Sequence, residues 1–347
     1  MTRIVFAGCI TFVVVAAMIP FARRFALAKG ITDKPAAGKA HTAPTPYLGG
    51  VAIALGAVAF SFALPEWKAQ AAAIFAGAVM VGIVGLVDDV RTVRPGVRLL
   101  FEVAAASIAV AAGAKASLFG DPFDTIITIA WIVVITNAFN LLDNMDAACG
   151  VISTIIATAL AVVALLEGQQ LVGGLAVVVA AACLAFLLYN WHPARIFMGD
   201  AGALFLGYLL AVISLKVRTD VSHFASAVSL VLLVGPAVFD TSLVIVSRLS
   251  TGRPIFMGGT DHTSHRLVLL GFRDVQVAWI LGAFTACSCT LGVLVAEHLV
   301  NPWVAIALAV IPASLAFVYL LRIGVYATDD GGGRNRLLKR GSTGEVI

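Results

Sequence analysis

Eleven apolar segments separated by short polar connections constrain the fold of this 347-residue chain more than any other feature. Several fall short of the roughly 20 residues that a helix needs to cross a bilayer, so their limits are approximate. Hydrophobic residues make up 61% of the chain and the mean hydropathy is +1.01, far outside the range of soluble domains. We predict an all-α polytopic membrane protein with about eleven transmembrane helices, over Ile4–Pro20, Leu48–Leu64, Ala71–Val87, Leu99–Gly113, Thr125–Leu142, Val151–Leu166, Leu171–Leu188, Ala203–Leu215, Phe224–Leu249, Val277–Val295 and Val304–Leu321.

The basic residues are distributed unequally between the two ends of these segments. If the segments alternate across the membrane, 18 of the 23 Lys and Arg residues fall in the odd-numbered connections and the C-terminal tail. Basic residues concentrate on the cytoplasmic side, so we predict the N-terminus outside and the C-terminus in the cytoplasm. The net charge of +4 follows from this topology and gives no support for nucleic-acid binding. We assign residues 1–325 to one membrane domain and residues 326–347 to a basic cytoplasmic tail that is expected to be disordered.

The stretch Thr136–Gly150 carries four polar residues between two apolar segments, namely Asn137, Asn140, Asp143 and Asp146. A step of three residues turns an α-helix by about 300°, so the four side chains converge only if the helix tightens or ends near Asp143. Acids beside a bilayer are costly unless they are paired, hydrated or bound to a cation. We interpret the stretch as a helix end that opens into a shared polar pocket. An ordinary polar loop remains the alternative.

Further polar residues end other predicted helices on the same, cytoplasmic side. Two adjacent carboxylates at the C-terminus of a helix, as in Asp88–Asp89, repel each other and the helix dipole. Asp240 lies within the ninth segment, where a functional acid and a buried hydrogen bond to a neighbouring helix are equally good interpretations. A divalent cation and a phosphorylated substrate would suit this cluster. Its members are Asp88, Asp89, Asn137, Asn140, Asp143, Asp146, Asn190, Asp200, His262 and His265.

Five motifs in order, from about His41 to Leu267, resemble the polyprenyl-phosphate N-acetylhexosamine-1-phosphate transferase family. That family includes the GlcNAc-1-phosphate transferases of surface-polysaccharide synthesis and the phospho-MurNAc-pentapeptide translocase. The resemblance implies Mg²⁺-dependent transfer of a sugar-1-phosphate from a UDP-sugar to a polyprenyl phosphate, with release of UMP. The motifs are Pro44-Thr45-Pro46 with Gly49-Gly50, Asp88-Asp89, Asn137 to Asp146, Asn190 to Gly202, and the loop with His262 and His265.

The resemblance also implies a role for each acid. Asp88 would deprotonate or orient the lipid phosphate with the support of Asp89, and these two are the predicted catalytic residues. Asp200 would bind Mg²⁺, with Mn²⁺ as an alternative ion. A structural interpretation of Asp200 stays open, because an Asp after a Gly often caps the helix that follows.

The remaining predicted site residues bind nucleotide or substrate by resemblance. Asp146 would read the uracil edge, and Phe197 would stack on the flat base. Asn190 matches a residue near the metal. The complete set of these binding residues is Asn137, Asn140, Asp143, Asp146, Asn190, Phe197, Arg98, His262, His265 and Arg266.

The sequence departs from the family pattern at several positions. Asn144 and Ala147 replace glycines, Ser264 replaces the middle histidine of the loop, and Glu102 stands where Gln is usual. Arg98 stands where many members have Lys. These changes bear on the geometry of the nucleotide loop and on the sugar preference, whereas the acids are intact.

The expected substrates are a UDP-N-acetylhexosamine, most simply UDP-GlcNAc, and undecaprenyl or another polyprenyl phosphate in the lipid bilayer of the plasma membrane. The histidine loop favours a GlcNAc-1-phosphate transferase, at the first membrane step of a surface-polysaccharide pathway, over the pentapeptide translocase. An ion-coupled transporter is the rival class, although its acids would lie near the bilayer midplane rather than at helix ends. A homodimer remains open.

Overall fold

The computed structural model describes residues 1–33, 44–64, 69–116, 119–255 and 258–326, and these residues are almost entirely helical. Two short strands, β1 (Thr32–Asp33) and β2 (Thr45–Pro46), pair antiparallel with Thr32 opposite Pro46. The predicted tail beyond residue 326, and His41 at the start of the first motif, lie outside the described residues. The helices are α1 (Thr2–Lys29), α2 (Gly49–Ser61), α3 (Ala69–Val90), α4 (Pro95–Ala111), α5 (Phe123–Leu142), α6 (Ala148–Leu166), α7 (Gln170–Asn190), α8 (Gly199–Lys216), α9 (His223–Ser250), α10 (Thr263–Leu269), α11 (Asp274–Ala296) and α12 (Pro302–Leu321).

Nine helices in the described part of the chain are long and apolar enough to cross a membrane, namely α1, α3, α5 to α9, α11 and α12. The prediction of an all-α, polytopic membrane protein is therefore confirmed. The other two predicted segments form α2, which is apolar but has only 13 residues, and α4, which has 17 residues and carries Arg98 and Glu102. A total of eleven spans and the orientation of the termini stay predictions.

Local sequence explains where several helices begin and end. Pro95 and Pro302 stand in the first turn of α4 and α12, where the missing N–H costs nothing. The Ser222 side chain accepts a hydrogen bond from the backbone N–H of Ala225 and so caps α9. Helix α1 ends at Gly30, whose φ of 69° is left-handed and is accessible to glycine without strain.

Helix α8 lies at the centre of the bundle, where it packs against α3, α5 and α2. Its N-terminus meets that of α2 so closely that a Cβ atom on Gly50 would lie 2.2 Å from the Cα atom of Gly202. The backbone N–H groups of Gly49 and Gly50 donate to the carbonyls of Phe197 and Met198, at 3.0 and 2.9 Å. The glycine pair therefore permits close backbone approach, and the contact fixes the segment that leads into α8.

Candidate functional site

Carboxylates from two other elements bind the N-terminus of α8. Asp89, near the end of α3, accepts hydrogen bonds from the backbone N–H groups of Asp200 at 2.8 Å and Ala201 at 3.1 Å. Asp143, at the end of α5, accepts one from the backbone N–H of Gly199. These N–H groups have no partner within the helix, and the positive end of the helix dipole favours the negative charge. Gly199 has φ +72°, and a Cβ atom there would lie 2.7 Å from Asp89 Oδ2.

Asp200 itself lies inside the first turn of α8 rather than at its cap position. The alternative interpretation of Asp200 as the cap of this helix is therefore wrong, because Asp89 and Asp143 bind the N–H groups instead. One carboxylate oxygen of Asp200, Oδ1, accepts a hydrogen bond from Asn140 Nδ2 at 2.8 Å. Its side chain is 36% exposed, and its other oxygen, Oδ2, lies 3.7 Å from Arg98 Nη1.

Arg98, near the start of α4, places its guanidinium among three carboxylates. Nη1 lies 3.4 Å from Asp88 Oδ2 and 3.7 Å from Asp200 Oδ2, and Nε lies 3.5 Å from Glu102 Oε1. Nη2 donates to Asn137 Oδ1 at 3.3 Å, and Asn137 in turn donates to Glu102. Sequence reasoning noted Glu102 only as a departure, yet this 2%-exposed carboxylate is what orients the guanidinium.

Asp88 lies beside this guanidinium, and the backbone N–H of Val93 also donates to it at 2.7 Å. Asp143 has a different environment. Burial, with the negative charges of Asp200 and Asp89, raises the pKa of Asp143 to about 8. The cluster therefore holds more carboxylates than it can ionise together without a cation.

The donor set suits Mg²⁺ or Mn²⁺, because both ions prefer carboxylate oxygens. Within the described residues, however, no three His, Cys, Asp or Glu side chains are arranged as a complete metal site. Mg²⁺ commonly binds through one or two carboxylates and takes its other ligands from phosphate and water. The partly exposed carboxylate of Asp200, with Asp88 beside the same guanidinium, fits that kind of site.

The loops after α5 and α7 are joined by polar side chains. Asp146 Oδ2 accepts hydrogen bonds from the backbone N–H of Ala194 at 3.0 Å and from His192 Nδ1, which is 2.9 Å away. Asn190 Oδ1 accepts from the backbone N–H of Ala147 at 2.9 Å, and its Nδ2 donates to the carbonyl of Ile196 at 3.0 Å. The buried Asn190 and the half-buried Asp146 thus both join the two loops.

Phe197 follows these loops and is half-buried beside Tyr47, with the two ring centroids 6.3 Å apart. Its backbone N–H donates to the carbonyl of Pro46 at 2.9 Å, so β2 determines where the ring stands. Base stacking on Phe197 stays a prediction.

The histidine loop is anchored to α9. Asp240 Oδ2 lies 2.9 Å from His262 Nδ1, and Asp240 Oδ1 accepts from the backbone N–H of Thr263 at 2.7 Å. The interpretation of Asp240 as one end of a buried hydrogen bond is therefore correct. Arg248 pairs with Asp261 through two bonds of 2.8 and 3.0 Å, both side chains being buried. Neither partner of this pair was singled out from the sequence, because only the folded loop brings them together.

Arg266 is not placed to bind substrate, which corrects its assignment as a binding residue. Its side chain is 1% exposed and donates to the carbonyls of Leu320 and Ile323, both at 2.7 Å. It also donates to the carbonyl of Asp261 at 3.1 Å and to Ser247 Oγ at 2.6 Å. Arg266 therefore fastens the C-terminal end of α12 to the histidine loop.

Two of the departures from the family pattern contact each other. Ser264, in α10, donates its hydroxyl hydrogen to Asn144 Oδ1, in the loop after α5. Ala147 ends that loop with a left-handed φ of 63°. The sequence indicated that an alanine would restrict this loop, but it gave no signal that Asn144 and Ser264 would meet.

Comparison with known proteins identifies the family of this chain. Residues 47–218, which include the acid cluster, match the family model described as glycosyl transferase family 4. A probable undecaprenyl-phosphate N-acetylglucosaminyl 1-phosphate transferase of Bacillus subtilis is 35% identical over 83% of this chain and 84% of the relative. A decaprenyl-phosphate N-acetylglucosaminephosphotransferase of Mycobacterium tuberculosis is 31% identical, over 75% of this chain and 74% of its own length. An undecaprenyl-phosphate alpha-N-acetylglucosaminyl 1-phosphate transferase of Escherichia coli is 25% identical over 83% of both chains. The similarity confirms the family predicted from the five motifs, and the chain belongs to glycosyl transferase family 4.

Proposed function

We propose that this protein transfers GlcNAc-1-phosphate from UDP-GlcNAc to a polyprenyl phosphate such as undecaprenyl phosphate, with release of UMP. Three relatives that match most of the chain are named for phosphotransferases that act on such lipids. The observation that carries the proposal is the accessible carboxylate of Asp200 beside Asp88 and Arg98. A phosphorylated lipid and a diphosphate donor need acids, a divalent cation and a fixed positive charge at one place.

We assign a separate role in this transfer to each residue of the cluster. Asp88, which binds Val93 and Arg98, would orient or deprotonate the lipid phosphate. An oxygen of that phosphate forms a bond to the sugar-bearing phosphorus of the donor, and the bridging P–O bond to UMP breaks. Asp200 and Asp88 would hold Mg²⁺, or Mn²⁺ in its place, which when bound neutralises phosphate charge. Arg98 would contact phosphate oxygens, for which a guanidinium is suited.

The proposed setting is the cytoplasmic face of the plasma membrane. The basic residues on the side of the acid cluster support this orientation, since Lys and Arg concentrate on the cytoplasmic side of membrane proteins. A nucleotide sugar would enter from the cytoplasm, while the lipid phosphate would approach from the bilayer. The reaction would be the first membrane step of a cell-surface polysaccharide pathway.

Replacement of Asp200 by Asn tests the role of this carboxylate. The amide is nearly isosteric but neutral and a poor Mg²⁺ ligand, so the loss of charge stabilisation should lower the rate of UMP release by on the order of a thousandfold. The assay uses purified protein, polyprenyl phosphate and UDP-GlcNAc over a Mg²⁺ titration, with thermal unfolding in detergent measured in parallel. Asp220→Asn, an exposed position at the opposite end of the bundle, is the matched control. Activity of Asp200→Asn within a few-fold of the parent at every Mg²⁺ concentration would contradict the metal role.

A panel of radiolabelled UDP-sugars tests the donor. We expect UDP-GlcNAc, or a related UDP-N-acetylhexosamine, to be used in preference to UDP-MurNAc-pentapeptide, because the relatives from Bacillus subtilis, Mycobacterium tuberculosis and Escherichia coli are named for GlcNAc transfer. Preferential turnover of the pentapeptide donor would contradict this. Uptake of a solute into vesicles without any UMP release would favour a transporter instead.

A further inference from the structure

The histidine segment, residues 261–265, is fixed to one side of the bundle by buried polar bonds. Asp240 of α9 binds His262 and the backbone N–H of Thr263, and Arg248 of α9 binds Asp261. Neither contact reaches the nucleotide loop, residues 143–147, which stands next to Asp200. The position of the segment relative to that loop therefore depends on another contact.

That contact is the hydrogen bond from Ser264 to Asn144, which joins the two segments directly. Asn144 Nδ2 donates to the carbonyl of Leu141 at 2.6 Å, in the last turn of α5. This bond fixes the orientation of the amide and leaves Oδ1 as the acceptor that faces Ser264. Ser264 is 2% exposed, so its hydroxyl has no alternative partner in bulk water. A buried hydroxyl without its acceptor would be costly, which makes the bond a specific link.

The same hydroxyl determines the orientation of a neighbouring imidazole. Ser264 Oγ lies 3.4 Å from His265 Nδ1. A hydroxyl has one hydrogen, and the hydrogen of Ser264 is used on Asn144, so its oxygen can only accept from His265. The hydrogen of a neutral His265 is then on Nδ1, and Nε2 carries a lone pair.

His265 is a neutral imidazole at ordinary pH. Burial, and the charge of His262 nearby, lower the pKa of His265 to about 4. A neutral imidazole with a lone pair on Nε2 repels phosphate oxygens but accepts hydrogen bonds from hydroxyl and amide N–H groups. Those are the groups that an N-acetylhexosamine presents.

We propose that Asn144 and Ser264 are positioning residues that hold His265 with Nε2 as the hydrogen-bond acceptor for a hydroxyl or an amide N–H of the donor sugar. The proposal rests on the proposed function, because it takes the donor to be a UDP-sugar. It deepens that function by assigning sugar recognition to a relay of three side chains, from His265 through Ser264 to Asn144. UMP has no sugar at this position, so its affinity does not depend on the relay.

The test compares Ser264→Ala, Asn144→Ala and the double variant with the parent. For each protein, dissociation constants for UDP-GlcNAc and for UMP are measured by ligand-dependent thermal shift in detergent, and KM and kcat are measured by UMP release. Ser264→Thr keeps the hydroxyl and is the conservative rescue. Ser107→Ala is the matched control, because the Ser107 hydroxyl donates to a carbonyl of its own helix at 2.8 Å.

We expect each single variant to raise the Kd and KM for UDP-GlcNAc by about 3- to 10-fold, the worth of one hydrogen bond, with kcat within about twofold. The Kd for UMP stays unchanged, and the double variant is no worse than either single one because both break the same relay. Ser264→Thr and Ser107→Ala stay within about twofold of the parent. Equal weakening of UMP and UDP-GlcNAc, multiplicative effects in the double variant, unchanged sugar affinity in both single variants, or no rescue by Thr would each overturn the proposal.

Failure of the proposed function gives a different result. In that case the parent itself neither binds UDP-GlcNAc nor releases UMP from it. The same five variants are then compared on the UDP-sugar from the donor panel that the parent does bind. Selective weakening of that sugar nucleotide over UMP supports the relay, and binding of no UDP-sugar overturns it.

Discussion

At the scale of single residues, the acids of the cluster differ in what their oxygens already bind. Asp89 uses both carboxylate oxygens on backbone N–H groups of α8, whereas Asp200 uses one oxygen on Asn140, directs the other towards Arg98 and has a side chain that is 36% exposed. The sequence assigned a catalytic role to Asp89 on the strength of its motif. In the structure, both oxygens of Asp89 bind the backbone that positions Asp200. These two acids should therefore respond differently to the same substitution.

Asp89→Asn should lower the thermal stability of the purified protein, while Asp200→Asn should leave it nearly unchanged. An amide has one acceptor oxygen, so one of the two backbone N–H groups at the start of α8 loses its charged partner, at a cost of about 1 to 3 kcal/mol. Differential scanning fluorimetry in one detergent, without metal or substrate, gives the comparison. Equal midpoints for the parent and Asp89→Asn would show that this carboxylate does not stabilise α8.

The neutral state of His265 gives a prediction for pH. The pKa of His265 is about 4 in the folded protein and near 6.5 when unfolded, so the unfolded chain binds the proton more tightly. The contribution of the neutral imidazole to the free energy of unfolding is complete above pH 6.5. It is lost as the pH falls towards 4, and the free energy of unfolding is lower by about 2 kcal/mol at pH 5. Burial, with repulsion from His262, outweighs the opposing attraction of Asp240 and Asp261.

Thermal unfolding of the parent and of His265→Gln between pH 7 and pH 5 measures this contribution. Other groups titrate over the same range, so the quantity of interest is the difference between the two proteins. The parent should lose more stability than the variant. Parallel loss in both would mean that His265 is protonated as readily in the folded protein as in the unfolded chain.

At the scale of elements, the sequence predicted helices well and their polar ends less well. The end of α5 near Asp143 is correct, because the apolar run stops there. The start of α8 is at Gly199 rather than Ala203, since its first turn, Gly-Asp-Ala-Gly, is not apolar. That turn is helical because carboxylates from α3 and α5 bind its N–H groups, which no local pattern reveals. The short helix α10 was not predicted either, because the partner of its first backbone N–H group is Asp240 of α9, which no local pattern reveals.

The nucleotide loop shows how an element tolerates a residue that its backbone disfavours. Ala147 adopts a left-handed conformation that costs a non-glycine residue roughly 1 kcal/mol or more. Its methyl group is buried against Leu187 and Ala278, and Asn190 binds its backbone N–H. Burial of one methyl group returns about 0.8 kcal/mol, so the strain is nearly offset. The sequence shows the conflict at position 147, but the contacts that offset the strain come from partners at least 40 residues away.

At the scale of the whole molecule, the site is built where many helix ends meet. The acid cluster draws on the ends of α3 and α5 and on the starts of α4 and α8, and the histidine segment joins it from the end of α9. The sequence predicted this gathering because its polar residues lie at the same ends of alternating segments. It could not predict that Arg266 would bind the end of α12 instead of substrate, since the carbonyls of Leu320 and Ile323 that Arg266 binds are 54 and 57 residues away.

The location of the site relative to the membrane gives the last prediction. The ends of α3, α5 and α7 lie with the acid cluster, and 18 of the 23 Lys and Arg residues are on that side if the segments alternate. Positive residues remain in the cytoplasm, so the cluster and the C-terminus should be cytoplasmic and the N-terminus outside. Cysteine-accessibility labelling of intact cells tests this with one introduced cysteine per protein, in a background without the five native cysteines.

Arg336→Cys, in the tail, and Asp220→Cys, at the exposed opposite end of the bundle, form the matched pair. A membrane-impermeant maleimide added to intact cells should label Asp220→Cys and leave Arg336→Cys unlabelled until the cells are opened. Unchanged UMP release in membranes from both strains shows that neither change disturbs the fold. Labelling of the tail from outside would place the acid cluster on the outer face, where cytoplasmic UDP-GlcNAc has no access, so the orientation and the proposed donor would fail together.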